Sequence, residues 1–252
     1  MAKLTLESFK NFFKYFNGEE HQVKALETLY KDLEHDCCEH LDELSDWVKQ
    51  YRTPIEPPPV EAPRWPITKE EMAEIMQCLP SQLPDSLMDD FAKCAELYGM
   101  DRKNIAYFLG QCGHESAGLR YPVEIADGSA YEGRQDLGNI YPGDGVKFAG
   151  TGWIQVTGRY HHQKFSDYLQ KKGTFDPKIM EVGKTYTSEK YPWSISGDWW
   201  DRNGMNAYTN QDPPIDRVGQ RVNGKYLPNG YVDRRVYSER AFRVLGVPYP
   251  GN

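Results

Sequence analysis

The chain lacks several features that would assign it at once to a class. No apolar run in its 252 residues approaches the roughly 18–20 residues of a membrane-spanning helix, and the Phe-rich segment after Lys3 and Lys10 is too short for an export signal. Positive charge is not in excess: the formal net charge is −7, which argues against a nucleic-acid binder. The five cysteines, Cys37, Cys38, Cys78, Cys94 and Cys112, are odd in number and form no CxxC pair. Cys94 and Cys112 fall on apolar helical stripes, so buried free thiols are expected, in a protein folded in a reducing cytoplasm. His114-Glu115 does not extend to HExxH, because position 118 is Gly. His161 and His162 are neighbours and point different ways on a helix, so packing is a better reading than metal. No cofactor or metal is expected, and no internal repeat is visible.

What is present is uneven. Residues 1–64 carry 8 Lys and Arg against 13 Asp and Glu, net −5, while residues 65–252 carry 22 against 24. In the acidic front piece, Leu26, Leu29, Tyr30, Leu33 and Cys37 recur at helical spacing, as do Leu41, Leu44, Trp47 and Tyr51. A small helical domain is predicted over 1–53. Prolines at 54, 57, 58, 59, 63 and 66 make 54–66 a stiff linker, and 67–252 form the main domain.

The main domain opens with helices. Thr68 and Glu71 form a capping box before Met72, Ile75, Met76 and Leu79. Ser86 is expected to cap a second helix, buried on Leu87, Phe91, Cys94, Ala95 and Tyr98 and ended by Gly99. A third starts near Asp101, with a stripe of Ile105, Phe108, Leu109 and Cys112. From Asp127 to Tyr160, eight glycines predict irregular loop and short strand. Helix returns over about 160–170 and 232–245. Trp193, Trp199 and Trp200 could stack on sugars, but at helical spacing they are more often core.

The third helix ends in Gly113-His114-Glu115-Ser116, and its stripe carries on to Glu115. Partial desolvation is what lets a carboxyl keep a proton near neutral pH, although a solvated Glu at a fraying helix end is the blander reading. Glu124 follows nine residues later, between apolar residues and past Pro122. Two carboxyls flanking a cleft are what glycoside hydrolysis requires: one protonates the leaving oxygen, the other activates water or attacks the sugar. Glu132 and Asp136 rival Glu124 for the second role, or simply pair with Arg134 within a loop. Arg217 to Arg243 holds seven Lys and Arg against two acids. That stretch is either a solvated helix face or an attractor for an anionic polymer.

Three ordered stretches carry a resemblance: HESAGLRYPVEIADGSAYEGRQDLGN, PGDGVKFAGTGWIQVTGRY and VGQRVNGKYLPNGYVDRRVYSERAFRVLG. Together they resemble the family 19 glycoside hydrolases, the chitinases of plants and bacteria and the related endolysins of bacteriophages, over most of 68–246. The resemblance implies a mainly α, lysozyme-like two-lobed catalytic domain, working by inversion. It implies Glu115 as general acid, Glu124 as general base and Thr157 as the hydroxyl that helps hold the attacking water. Gln155, Asn223 and Arg234 match polar residues around the substrate, and Tyr131, Glu132 and Arg134 belong to a stretch of cleft wall or substrate contact. Gly150-Thr151-Gly152 stands where many members have Gly-Arg-Gly, and Tyr160-His161-His162 where an Asn-Tyr pair is frequent, so sugar selectivity is expected to differ.

The sequence thus points to a monomeric endolysin that cleaves β-1,4 bonds of peptidoglycan. A chitinase acting on N-acetylglucosamine polymers is the alternative, and a non-catalytic virion or carbohydrate-binding protein a further one. An amidase or peptidase is disfavoured, since no catalytic Cys–His pair or zinc spacing is evident. The front domain would anchor the enzyme to the wall or mediate oligomerisation. Lacking an export signal, the enzyme is expected to wait in the host cytoplasm for holin-dependent release, or to travel in the virion.

Overall fold

The computed structural model describes residues 66–252. The front helical domain, nearly all of the Pro-rich linker, and Cys37 and Cys38 lie outside the described residues.

The sequence rules for helix ends account for the first three helices. In α1 (Lys69–Met76), Thr68 accepts from the Glu71 backbone N–H and Glu71 accepts from that of Thr68. Helix α2 (Asp85–Leu97) begins one residue before the expected Ser86 cap. Pro84 fixes the extended entry instead, and its carbonyl accepts from Leu87 and Met88. Asp101 caps α3 (Arg102–Glu115) in a reciprocal pair with Asn104.

Helix α3 departs from the expected single stripe. Every residue from Asn104 to Gly113 is buried, so the helix is enclosed on all sides rather than seated on one face. Around it, Met72, Ile75, Phe91, Cys94, Tyr107, Phe108, Trp193, Trp200 and Phe242 form the main core. Trp193 and Trp200 are fully buried, which makes them core residues, and Trp199 is partly buried against it. Cys94 and Cys112 are buried free thiols and Cys78 a partly buried one.

The remaining helices are α4 (Asp144–Lys147), α5 (Arg159–Lys171), α6 (Lys178–Val182), α7 (Lys184–Lys190), α8 (Pro192–Arg202), α9 (Met205–Thr209), α10 (Ile215–Asn223) and α11 (Tyr231–Val244). Of these, α6, α7 and α9 are only five to seven residues long, too short to show a period, whereas the Trp spacing of α8 is helical as expected. A second, smaller cluster joins Val156, Phe165, Leu169, Ile179 and Ile195. Buried Asp90 of α2 accepts from the backbone N–H groups of Trp193 and Ser194 at the start of α8, tying the two helices together. Burial raises the Asp90 carboxyl to about 6.

Among the described residues there is no regular strand. The glycine-rich region holds only two isolated bridges, Val123 with Thr151 and Thr151 with Val156. These bridges hold the segment after α3 against the Gly150 turn. No helix among the described residues is long and apolar enough to cross a membrane.

Candidate active site

Two glycines set how closely α3 and α11 approach. A Cβ on Gly110 would lie 2.2 Å from Ser238 Oγ, and one on Gly113 would lie 2.4 Å from the Tyr237 ring. Within that contact, a His–Asp contact and an Arg–Glu ion pair cross between the helices. His114 Nδ1 lies 2.8 Å from Asp233 Oδ2, and one residue on in each helix the Arg234 guanidinium meets the Glu115 carboxylate.

Arg234 is 1% exposed and every nitrogen of its guanidinium is engaged. Nε donates to the Asn229 carbonyl at 2.9 Å, Nη1 to Gln111 Oε1 at 2.7 Å and Nη2 to Glu115 Oε1. A planar fork with fixed donors suits such a three-way contact, and a buried cation requires it. Glu115 ends α3 with about a fifth of its side chain accessible. It is therefore neither fully desolvated nor a fraying surface residue: a buried cation orients one oxygen.

The chain leaves Glu115 through a strained turn. Ala117, Gly118 and Leu119 all have positive φ, at 52°, 73° and 64°. Non-glycine residues pay to adopt that conformation, and Ser116 supports it. Its hydroxyl donates to the Cys112 carbonyl at 2.6 Å and accepts from the Leu119 N–H at 2.9 Å.

Glu124 is held differently. Its backbone N–H donates to the Gly150 carbonyl, while the Gly150 N–H donates back to Glu124 Oε2, both at 2.9 Å. Tyr131 donates its hydroxyl to Glu124 Oε1, also at 2.9 Å. Burial, and then this bond to a carboxylate, raise the Tyr131 phenol above its ordinary range. Gln155 has a left-handed backbone (φ 58°), and its side-chain amide donates to the carbonyls of Tyr121 and Gly152 at 3.1 Å. Thr157 follows with its hydroxyl donating to the Gln155 carbonyl at 3.0 Å. Tyr131, Gln155 and Glu124 thus meet on the Gly150 turn, and Thr157 continues from it.

Asn223, at the end of α10, accepts from the Asn229 N–H at 3.0 Å. Asn229 is the residue whose carbonyl Arg234 also holds, so Asn223 and Arg234 brace one loop. Glu132 has both oxygens committed to backbone N–H groups of Gly143 and Gly145, at 2.8 Å each, across the start of α4. Arg134 pairs with Asp136 on the surface rather than with Glu132. The structure uses these two residues to shape the loop.

The basic stretch is neither of the two things expected of it as a whole. Arg234 is buried, Arg235 pairs with Asp216, Arg243 with Glu74, and Arg240 donates to the Ile75 carbonyl. Arg221 stacks 3.7 Å from the Tyr208 ring centroid. Sequence reasoning missed Gln111, Asn229 and Gly150. Gln111 was detectable in principle, as a polar residue four before Glu115 in an otherwise apolar helix.

His162 is fully buried, with Nδ1 3.0 Å from the Gly158 carbonyl, and burial lowers its imidazole to about 4. His161 is lowered to about 4 as well, by burial and by the nearby Arg202. Among the described residues no group of three or more His, Cys, Asp or Glu is placed to hold a metal.

An enclosed central helix, a carboxylate at its end and short helices around a loop-rich second part define a mainly α, lysozyme-like domain. It is the fold of the family 19 chitinases. Chitinase C from Streptomyces griseus HUT6037 superposes with a TM-score of 0.54 at 14% identity, over 75% of this chain and 98% of that one. A bacterial family 19 chitinase gives 0.55 at 17%, over 75% and 98%. A class IV family 19 chitinase from Zea mays gives 0.55 at 16%, over 74% and 96%. No family model matches the sequence.

Proposed function

We propose that the chain is a peptidoglycan hydrolase that cleaves β-1,4 glycosidic bonds with inversion, and that it acts as a bacteriophage endolysin. One observation carries the reading. On a family 19 chitinase fold, two carboxyls nine residues apart are each fixed by dedicated partners, Glu115 by buried Arg234 and Glu124 by Tyr131 and the Gly150 N–H. Side chains that served only packing would not need carboxylates at both ends of a strained turn.

In the proposed reaction Glu115 protonates the glycosidic oxygen as the bond breaks. Glu124 takes a proton from water, which attacks the anomeric carbon from the opposite face, and Thr157 helps orient that water. Each bond cleaved consumes one water and leaves one new reducing end. The backbone N–H and the phenol on Glu124 fix where its oxygens lie, and Arg234 does the same for Glu115.

The preference for peptidoglycan over chitin rests on the cysteine-poor body, on the YEGR and DLGN stretches, and on Arg120. This exposed arginine lies between Glu115 and Glu124 in sequence and has no ion-pair partner among the described residues. A free cation there favours a polymer bearing lactyl and peptide carboxylates over neutral chitin. The named structural neighbours are chitinases, so an N-acetylglucosamine polymer is the second substrate to try. Product analysis decides: new reducing sugars from purified peptidoglycan, with little release from chitin oligomers, support the reading. New amino termini, or no turnover of either polymer, refute it.

A further inference from the structure

We infer that Gln111 is a positioning residue for the general acid, acting through Arg234, and that its neutral amide is what allows Glu115 to gain and lose a proton. The inference rests on the role proposed above for Glu115. Arg234 is buried and permanently charged, so it must keep acceptors in every protonation state of its surroundings. Among the described residues Glu115 is its one ionic partner, and an acid must spend part of each cycle protonated. At that moment no anion faces the guanidinium: Glu115 offers at most a carbonyl oxygen, and the fixed acceptors are Gln111 Oε1 and the Asn229 carbonyl. Both are neutral acceptors, and neither competes with Glu115 for charge.

The amide also bears the mark of a compromise. Gln111 is fully buried and its Nε2 has no hydrogen-bond partner among the described residues. Leaving a buried donor unmet costs about 1–3 kcal/mol. An apolar residue would avoid that cost but remove an acceptor from Arg234. A Glu would satisfy Arg234 but hold it with a second charge. Glutamine is the side chain that gives the guanidinium an acceptor without a charge.

The other titratable groups about the pair are His114, matched by Asp233, the buried thiol of Cys112, and Tyr237. The Arg235–Asp216 pair joins α11 to α10. None of these accepts from Arg234.

The test uses the full chain and the pH profile of kcat/KM on purified peptidoglycan, or on N-acetylglucosamine hexamer if that is the better substrate. The alkaline limb reports loss of the acid's proton. Gln111→Glu supplies a second carboxylate and weakens the hold of Arg234 on Glu115, so the limb moves about one pH unit up. Gln111→Met makes Arg234 rely on ionised Glu115, so the limb moves down and kcat falls with KM little changed. Opposite movements are not what loss of packing produces. The 13C titration of the Glu115 carboxyl in Gln111→Glu gives the same answer without activity, should Gln111→Met not fold. A limb and a carboxyl titration that stay fixed in Gln111→Glu overturn the inference. Full activity in Glu115→Gln would instead overturn the catalytic reading on which it rests.

Discussion

Glu115 and Glu124 lie nine residues apart and are held by opposite means. Glu115 sits at the end of a buried helix and is gripped by a side chain 119 residues away in sequence. Glu124 sits on a loop and is gripped by the backbone of the Gly150 turn and by a tyrosine seven residues on. The first arrangement depends on two helices docking at the glycine contacts. The second depends on a tyrosine seven residues on and on a turn 26 residues on, both within the glycine-rich loop region. One half of the site is thus coupled to global stability, and the other can be tuned with the fold intact.

The largest expected effect breaks the helical half. Arg234→Leu leaves the Glu115 carboxylate without its cation and three acceptors without a donor. It should cost about 3–5 kcal/mol, read as a lower urea midpoint, and abolish turnover together with stability. Tyr131→Phe probes the loop half by removing a bond to a carboxylate, worth about 1.5–3 kcal/mol. Expressed in the transition state, that is a roughly 10- to 100-fold fall in kcat, with thermal stability nearly unchanged. A fall in stability to match Arg234→Leu would erase the distinction between the halves.

Gly150→Ala is the finer probe. Its Cβ would lie 2.7 Å from Gln155 Oε1 and 2.9 Å from Glu124 Oε2, both at the ends of long side chains, and 3.1 Å from Glu124 Cβ. The fold should absorb it while Glu124 moves, giving a roughly tenfold loss of kcat with an unchanged melting temperature. The smallest effect concerns pH. His162 has its imidazole lowered to about 4 by burial, so the stability it contributes is present above about 6.5 and lost as pH falls through 4. Asp90, raised to about 6, acts in the other sense, since its contribution is lost as pH rises through 6. His161, also lowered to about 4, adds to His162 and together they outweigh Asp90, so urea midpoints should still fall from pH 6.5 to 4, and less steeply in His162→Gln.

What the sequence revealed follows the same division. The capped starts of α1 and α3 and the apolar spacings within α1 to α3 could be read locally, because those signals lie within a turn or two of the helix ends. Both candidate carboxylates could be named from the sequence, Glu115 by its helical stripe and Glu124 by the apolar segment after Pro122. The partners of Glu115 could not. Arg234 was expected beside the substrate and as one member of a basic stretch, and nothing local told that it alone is buried while Arg235, Arg240 and Arg243 serve other contacts. Glu132 was unresolved for the same reason: only the folded loop brings the Gly143 and Gly145 N–H groups to it. The α2 start was misplaced by two residues' chemistry, a proline entry outweighing a serine cap.

The most direct test of the central claim is anomeric analysis by NMR of the first product from purified peptidoglycan, with Glu115→Gln and Glu124→Gln measured alongside the unaltered protein. The account predicts new reducing ends with inverted configuration, none from Glu115→Gln and at most a few per cent of the rate from Glu124→Gln. A retained anomer, or full activity in Glu115→Gln, would contradict it.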